Sequence, residues 1–299
     1  MSQKRIRESS GDALFNVTNI ILLSLAAFLV LYPLWFVIIA SISDPTLVNM
    51  GKVLLIPKGI SFNAYKTILT DENILTGYRN TIYYAVVGTS LSVILTAMTA
   101  YAIAQKHLYG RKLITGALLL TMFFSGGIIP TFLIIDKVGL LDTPYTLLFV
   151  GVITTYNVII TRTYIQSSIP QAMLEAAMID GCGDIGIFYT LVLPLSKPVL
   201  SVIALFYASA QWNGYFNALI YLNERNYMPL QIFLREILIQ NSTSQIIDTE
   251  DAIEMAERAN LARTLKYALI IVASLPMIII YPFVQKYFVG GVMIGSVKG

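Results

Sequence analysis

Residues 13–43 read ALFNVTNIILLSLAAFLVLYPLWFVIIASIS, without one charged side chain from Ala13 to Ser43. A helix needs about 20 mostly apolar residues to cross a hydrocarbon core of about 30 Å, and this run exceeds that length. Five further charge-free runs reach 19 residues or more: 80–105, 113–135, 143–161, 198–223 and 267–285. The next longest, such as 163–174, 185–196 and 237–247, stop at 12 or fewer. None of the long runs alternates apolar and polar residues in the manner of barrel strands. The pattern predicts an all-α, polytopic membrane protein with six transmembrane helices. Composition agrees: 56% of the chain is apolar, 12% is charged and the mean hydropathy is +0.71. Soluble domains run at about 45–50% apolar and about 25% charged. One cysteine, Cys182, excludes a disulfide scaffold. A net charge of +3 spread along the chain leaves no footprint for nucleic acid.

Orientation follows from the basic residues. Lys4, Arg5 and Arg7 lie in the N-terminal tail, Lys106, Arg111 and Lys112 in the short second loop, and Lys286 and Lys298 near the C-terminus. Basic density in short segments places both termini in the cytoplasm. The run 13–43 is much longer than the apolar stretch of a signal peptide and has no A-x-A site after it, so it reads as a retained anchor. The expected order is a cytoplasmic tail over 1–12, a first transmembrane helix over 13–43, an external loop over 44–79, five further spans with an external loop at 224–266, and a cytoplasmic tail over 289–299. Within the last external loop, 250–262 reads as a short helix of alternating charge.

Two absences narrow the function. No Asp, Glu, His, Lys or Arg falls inside the six runs, and gradient-driven carriers use ionisable groups at that depth. The chain also lacks G-x-x-x-x-G-K-[ST], so it has no phosphate-cradling loop, and energy for transport must come from another chain. His107 is the only histidine, which leaves no constellation for metal binding or acid–base catalysis. No cofactor or metal is expected on this chain and it is not expected to be an enzyme. A gradient-driven carrier or channel for a small polar solute is the alternative reading.

The cytoplasmic loop 168–198 reads SIPQAMLEAAMIDGCGDIGIFYTLVLPLSKP. Ser168 and Pro170 are expected to open a helix, with Met173, Leu174, Ala177 and Met178 on one apolar face and Gly181 closing it. Asp184 is expected to cap a second short helix that stops before Pro194. A helix this short is unstable alone and needs a partner surface.

Glu175-Ala176-Ala177, Gly181 and Leu191-x-Leu193-Pro194 match the EAA-x3-G-x9-I-x-L-P loop of ATP-binding-cassette (ABC) importer permeases, with Leu191 for the usual Ile. EAAMIDG through LPLSKP resembles the carbohydrate-uptake, maltose-type branch, as does the ending QKYFVGG through VKG. FFSGGIIPTFLI (123–134) and WNGYFNALIYLNERNYMPLQ (212–231) resemble the oligosaccharide, lipo-oligosaccharide and polyuronide subgroup. Leu174 departs from the branch, which often has a second acid there. The resemblance implies a type I importer fold in a bacterial plasma membrane, with a five-helix permease core over 80–288. It also implies a second homologous permease, a cytoplasmic ABC ATPase dimer that holds ATP and Mg, an extracytoplasmic solute-binding protein, and import of an oligosaccharide. Under it, Glu175, Ala176, Ala177, Asp180 and Gly181 contact the ATPase, and Gly290, Gly291 and Lys298 form a C-terminal tail contact.

Sugars are held by amides and aromatic faces. Ser209, Trp212, Asn213, Phe216 and Asn217 recur at three- and four-residue spacings, and Thr154, Asn157 and Thr161 do so with Tyr156 adjacent. Amides are costly against lipid, so these side chains are expected to face the bundle interior or a cavity. Trp212, Asn213, Phe216, Asn217, Tyr156 and Asn157 are therefore the candidate substrate pathway, with Trp212 and Phe216 as an aromatic wall. Packing between helices is the competing reading for the same residues. Ser125-Gly126-Gly127 and Pro130 are expected to interrupt the third span.

Overall fold

The computed structural model describes residues 10–243, 265–282 and 285, all of the regular structure in them being helical. The chain divides into two compact units, the first formed by residues up to Thr70 with Leu238–Ala273, the second by Asp71–Ile237 with the segment from Ser274.

In the first unit α1 (Ser10–Ser41) is a single helix despite Pro33. Its most apolar stretch is not buried by any of the described residues, as expected of a surface that meets lipid or another subunit. The following loop is ordered by its own polar groups. Asp44 Oδ1 accepts the N–H groups of Thr46 and Leu47 at 2.8 and 3.3 Å, and so starts α2 (Pro45–Asn49), whose proline sits in the first turn. Trp35 Nε1 donates to the Leu55 carbonyl at 2.9 Å, and the Lys58 N–H donates to Ser43 Oγ, folding the loop against the end of α1. A third helix, α3 (Asn63–Thr70), follows. The stretch expected as an external loop over 44–79 thus carries α2, α3 and the first turns of the next span.

In the second unit α4 (Glu72–Tyr83) starts on an Asp71 cap and continues through a π turn at Tyr84–Gly88 into α5 (Thr89–Ala104). Together they make one 33-residue span, Glu72–Ala104. It begins before the charge-free run because Arg79 is a helix residue. Next come α6 (Arg111–Phe123) and α7 (Ile128–Lys137), turned 118° from each other. The break falls at the expected interruption, where Gly127 has φ +87°, a conformation open chiefly to glycine.

The run 143–161 is not one helix. It is split into α8 (Pro144–Phe149) and α9 (Thr155–Ser168), with Gly151 at φ +72° between them. At 1.5 Å per residue α9 is about 21 Å long, less than the hydrocarbon thickness. It also carries Arg162, so a charge lies within the helix that the run was expected to define.

The coupling loop forms α10 (Gln171–Ile179) and then a helix of three parts: α11 (Asp184–Ile187), a π turn at Phe188–Val192 and α12 (Leu193–Leu195). After an 81° bend at Ser196 comes α13 (Lys197–Asn213). Then follow α14 (Phe216–Tyr221), a 3-10 turn at Arg225–Tyr227, α15 (Leu230–Thr243) and α16 over Leu265–Pro282. Among the described residues three helices are long and apolar enough to span a membrane, and up to five spans result if each bent pair counts as one. The six charge-free runs do not map one to one onto these helices because such a run measures compatibility with lipid, and glycine and proline break the helix within a run without adding charge.

The core of the second unit is an apolar cluster that joins α5 (Ala97, Ala100, Ile103) to α9 (Val158, Ile165), the α10 entry (Ile169, Leu174) and the second coupling helix (Ile187, Phe188, Val192). Residues 226–230, expected as loop, are anchored to the span of α4. Asn80 Nδ2 donates to the carbonyls of Asn226 and Met228, the Leu230 N–H donates to Thr81 Oγ1, and the Tyr84 hydroxyl donates to the Tyr227 carbonyl. The short helix expected at 250–262 lies outside the described residues.

Candidate functional site: a coupling hairpin and a polar cavity

The coupling hairpin closes by a complete Schellman turn. The Gly181 N–H donates to the Met178 carbonyl at 3.1 Å and the Cys182 N–H donates to the Ala177 carbonyl at 2.9 Å, with Gly181 at φ +86°. Gly181 is therefore the C′ residue its position in the sequence predicts. The other end differs from expectation. Ser168 is the last residue of α9 and caps nothing, and Pro170 stands before the first helical residue, Gln171. Asp184 is the first residue of α11 and not its cap, because Gly183 occupies that place. The helix does not stop before Pro194. It widens into a π turn ahead of the proline, and such turns tolerate a missing N–H donor.

The expected apolar face of α10 divides. Leu174 is buried, with Ala177 packed beside it in the core cluster, whereas Met173 and Met178 stay exposed. Glu175, Ala176, Asp180 and Gly181 are exposed with them, and Ile179 (86%) and Ile185 (75%) add further uncovered apolar surface. The hairpin is fixed from behind, where the Tyr101 hydroxyl of α5 donates to the Asp184 carbonyl at 3.3 Å. A rigid, shallow apolar tip edged by carboxylates suits insertion into a cleft of another protein. The tail residues Gly290, Gly291 and Lys298 lie outside the described residues.

The pathway residues do not converge. Trp212 is buried (3%) and packs edge-on against Tyr78 with centroids 6.0 Å apart. The Asn213 amide turns back to donate to the Ser209 carbonyl of its own helix at 2.9 Å. Gly214 ends α13, so Phe216 and Asn217 belong to α14 and the expected single stripe is broken. Tyr156 is exposed, while the adjacent Asn157 is buried. The aromatic wall is thus replaced by packing at Trp212 and by an exposed ring at Phe216.

Asn217 alone of these six lines a cavity of about 170 Å³. Its other polar walls are Tyr84, Thr154, Tyr207 and Gln211, and its apolar walls include Leu147, Val150, Ala210 and Pro229. Gln211 Nε2 donates to the Leu147 carbonyl at 3.3 Å, and a Cβ on Gly88 would stand 2.8 Å from that nitrogen, so a larger residue there would displace the amide. Tyr207 presents its hydroxyl to Thr96 Oγ1 at 2.7 Å and accepts the Thr154 N–H at 3.1 Å. Tyr207, Gln211 and Gly214 sit at i, i+4 and i+7 along α13. That spacing is visible in the sequence but was masked by the more conspicuous tryptophan.

A membrane chain of bent and broken helices, without a nucleotide loop of its own and with an exposed EAA hairpin, is a permease subunit of an ABC importer. The chain belongs to this family, in its carbohydrate-uptake branch, and permeases of this kind work with an ATPase and a solute-binding protein. It is similar to the polygalacturonan/rhamnogalacturonan transport system permease protein YtcP of Bacillus subtilis (strain 168), with 38% identity over 289 residues covering 96% of this chain and 99% of the relative. It is also similar to protein LplC of the same organism, with 36% identity over 98% of each chain. Among solved structures it is similar to a chain of a bacterial ABC transporter involved in the import of the acidic polysaccharide alginate. That match has a TM-score of 0.85 and 35% identity over 95% of this chain and 99% of the other. No family model matches the chain.

Proposed function

We propose that this chain pairs with a second homologous permease to carry an oligosaccharide containing uronic acids into the cytoplasm. An ATPase dimer binds ATP and Mg and drives the step, and the hairpin of Glu175, Ala176, Ala177, Asp180 and Gly181 is its seat. An external solute-binding protein delivers the sugar, and both termini face the cytoplasm, with Gly290, Gly291 and Lys298 reaching the ATPase. The exposed, rigidly backed EAA hairpin carries the coupling role. The acidic substrate class is supported by two similar proteins of matching length, one named for polygalacturonan and one described for alginate, both polymers of uronic acids. Asn217 in the polar cavity and the exposed Phe216 and Tyr156 are the pathway residues of this reading.

The test is reconstitution of the full complex in proteoliposomes with its binding protein. Uptake and stimulated ATP hydrolysis are expected with an oligogalacturonate and not with a neutral oligosaccharide of equal length. Stimulation by the neutral sugar alone would overturn the acidic substrate class, and uptake without the ATPase would overturn the permease mechanism.

A further inference from the structure

We propose that the Tyr207 hydroxyl is the positioning group that ties the polar cavity to the ATPase-facing hairpin. The proposal rests on the coupling role given to that hairpin above. α9 has no side-chain cap of its own, since the Thr154 side chain accepts none of its first N–H groups. The Thr154 N–H is instead taken by Tyr207 of α13, and the same hydroxyl is bonded to Thr96 of α5. One buried oxygen therefore holds three helices together at the wall of the cavity.

From that point α9 runs about 21 Å to its other end. There the Gln166 amide donates to the Ala104 carbonyl of α5 at 3.3 Å, and only Ile169 and Pro170 separate α9 from α10. Val158, Ile165, Ile169 and Leu174 lie in one close-packed apolar cluster, so α9 cannot shift along its axis without moving α10. A hydroxyl offers one donor and two acceptor positions. Its two existing bonds leave one position free for a ligand hydroxyl, which can donate or accept, and a sugar hydroxyl there meets the oxygen that fixes the start of α9. Tyr207 is thereby placed to convert occupancy of the cavity into displacement of the hairpin. Its own contacts do not reach the ATPase-facing tip or the outer surface.

The test uses Tyr207→Phe in the complete reconstituted complex. Assembly and the KM for ATP are expected to stay as in the unaltered complex, and stimulation is read as the ratio to the variant's own basal rate. The maximal stimulated rate and sugar uptake are expected to fall roughly five- to tenfold, the ratio one net hydrogen bond supports. Thr96→Val, which leaves the Thr154 bond in place, is expected to lose less. Full stimulation in Tyr207→Phe overturns the proposal. So does failed assembly, or a basal rate that drops in proportion, because the hydroxyl is then a packing element. An unaltered complex that shows no stimulation refutes the coupling role itself and is distinguishable from these outcomes.

Discussion

Gly181→Val isolates the backbone of the coupling turn. A Cβ on Gly181 would meet nothing within 4 Å, so the substitution introduces no clash. The cost comes from φ +86°, where a β-branched residue is strained by about 1–3 kcal/mol. The turn can escape that strain only by giving up its two closing hydrogen bonds, each worth about 0.5–1.5 kcal/mol net. The two routes cost about the same, which sets the penalty near 2 kcal/mol. That corresponds to about a thirtyfold shift of the turn away from its present shape. The assay is ATP hydrolysis by the full complex, with and without liganded binding protein, alongside sugar uptake. Coupling is expected to fall in the order Gly, Asn, Ala, Val, since asparagine tolerates the left-handed region better than alanine. Membrane insertion is expected to be unaffected. Normal stimulation in Gly181→Val, or an asparagine variant no better than valine, would refute the reasoning.

Gly77→Ala is expected to lower the melting temperature of the purified complex, because its Cβ would stand 2.7 Å from the Phe233 ring and 2.9 Å from the Leu230 Cα, and the latter is backbone that cannot swing away. Trp212→Ala is expected to cost about 3–5 kcal/mol and to reduce assembly, measured by gel filtration, since the indole fills a site against Tyr78. Retained assembly with lost uptake would instead restore Trp212 to the pathway. Cys182 is the only cysteine and is exposed on the hairpin, so an impermeant maleimide should label it in inside-out vesicles and not in intact cells. Labelling from outside would reverse the orientation.

The coupling turn was legible in the sequence because its physics is local. A glycine after an apolar helical face, a proline before it and a fixed spacing specify a Schellman closure with no help from the rest of the chain. The pathway was less legible because depth along a helix does not determine direction around it. Trp212 lies one residue beyond Gln211, and one helical residue is a rotation of about 100°. That rotation takes the indole from the cavity face occupied by Tyr207 and Gln211 into the packing against Tyr78. Asn217 was found for an incomplete reason, since it reaches the cavity from α14 and not along α13. α15 was missed because Arg235 and Glu236 closed the charge-free run, although both sit on a regular helix with Phe233 and Leu234 buried beside them.

The breaks within the expected spans then sort by what shelters them. Irregular backbone at membrane depth leaves N–H and C=O groups without helical partners, and it is tolerated where protein or water supplies them. The link between α8 and α9 and the end of α13 meet this condition inside the chain, because Val150, Gly151, Thr154 and Gly214 all line the polar cavity. One hydrogen bond there, from the Thr154 N–H to Tyr207, is the contact on which the proposed coupling turns. The break at 124–127 has no such shelter among the described residues, and Phe123, Phe124, Ile128 and Ile129 around it are exposed. A surface that is both broken and apolar needs a protein neighbour more than it needs lipid, since lipid tails offer the freed backbone no partner. If the proposed pairing with a second permease holds, this break is where the two chains are expected to meet.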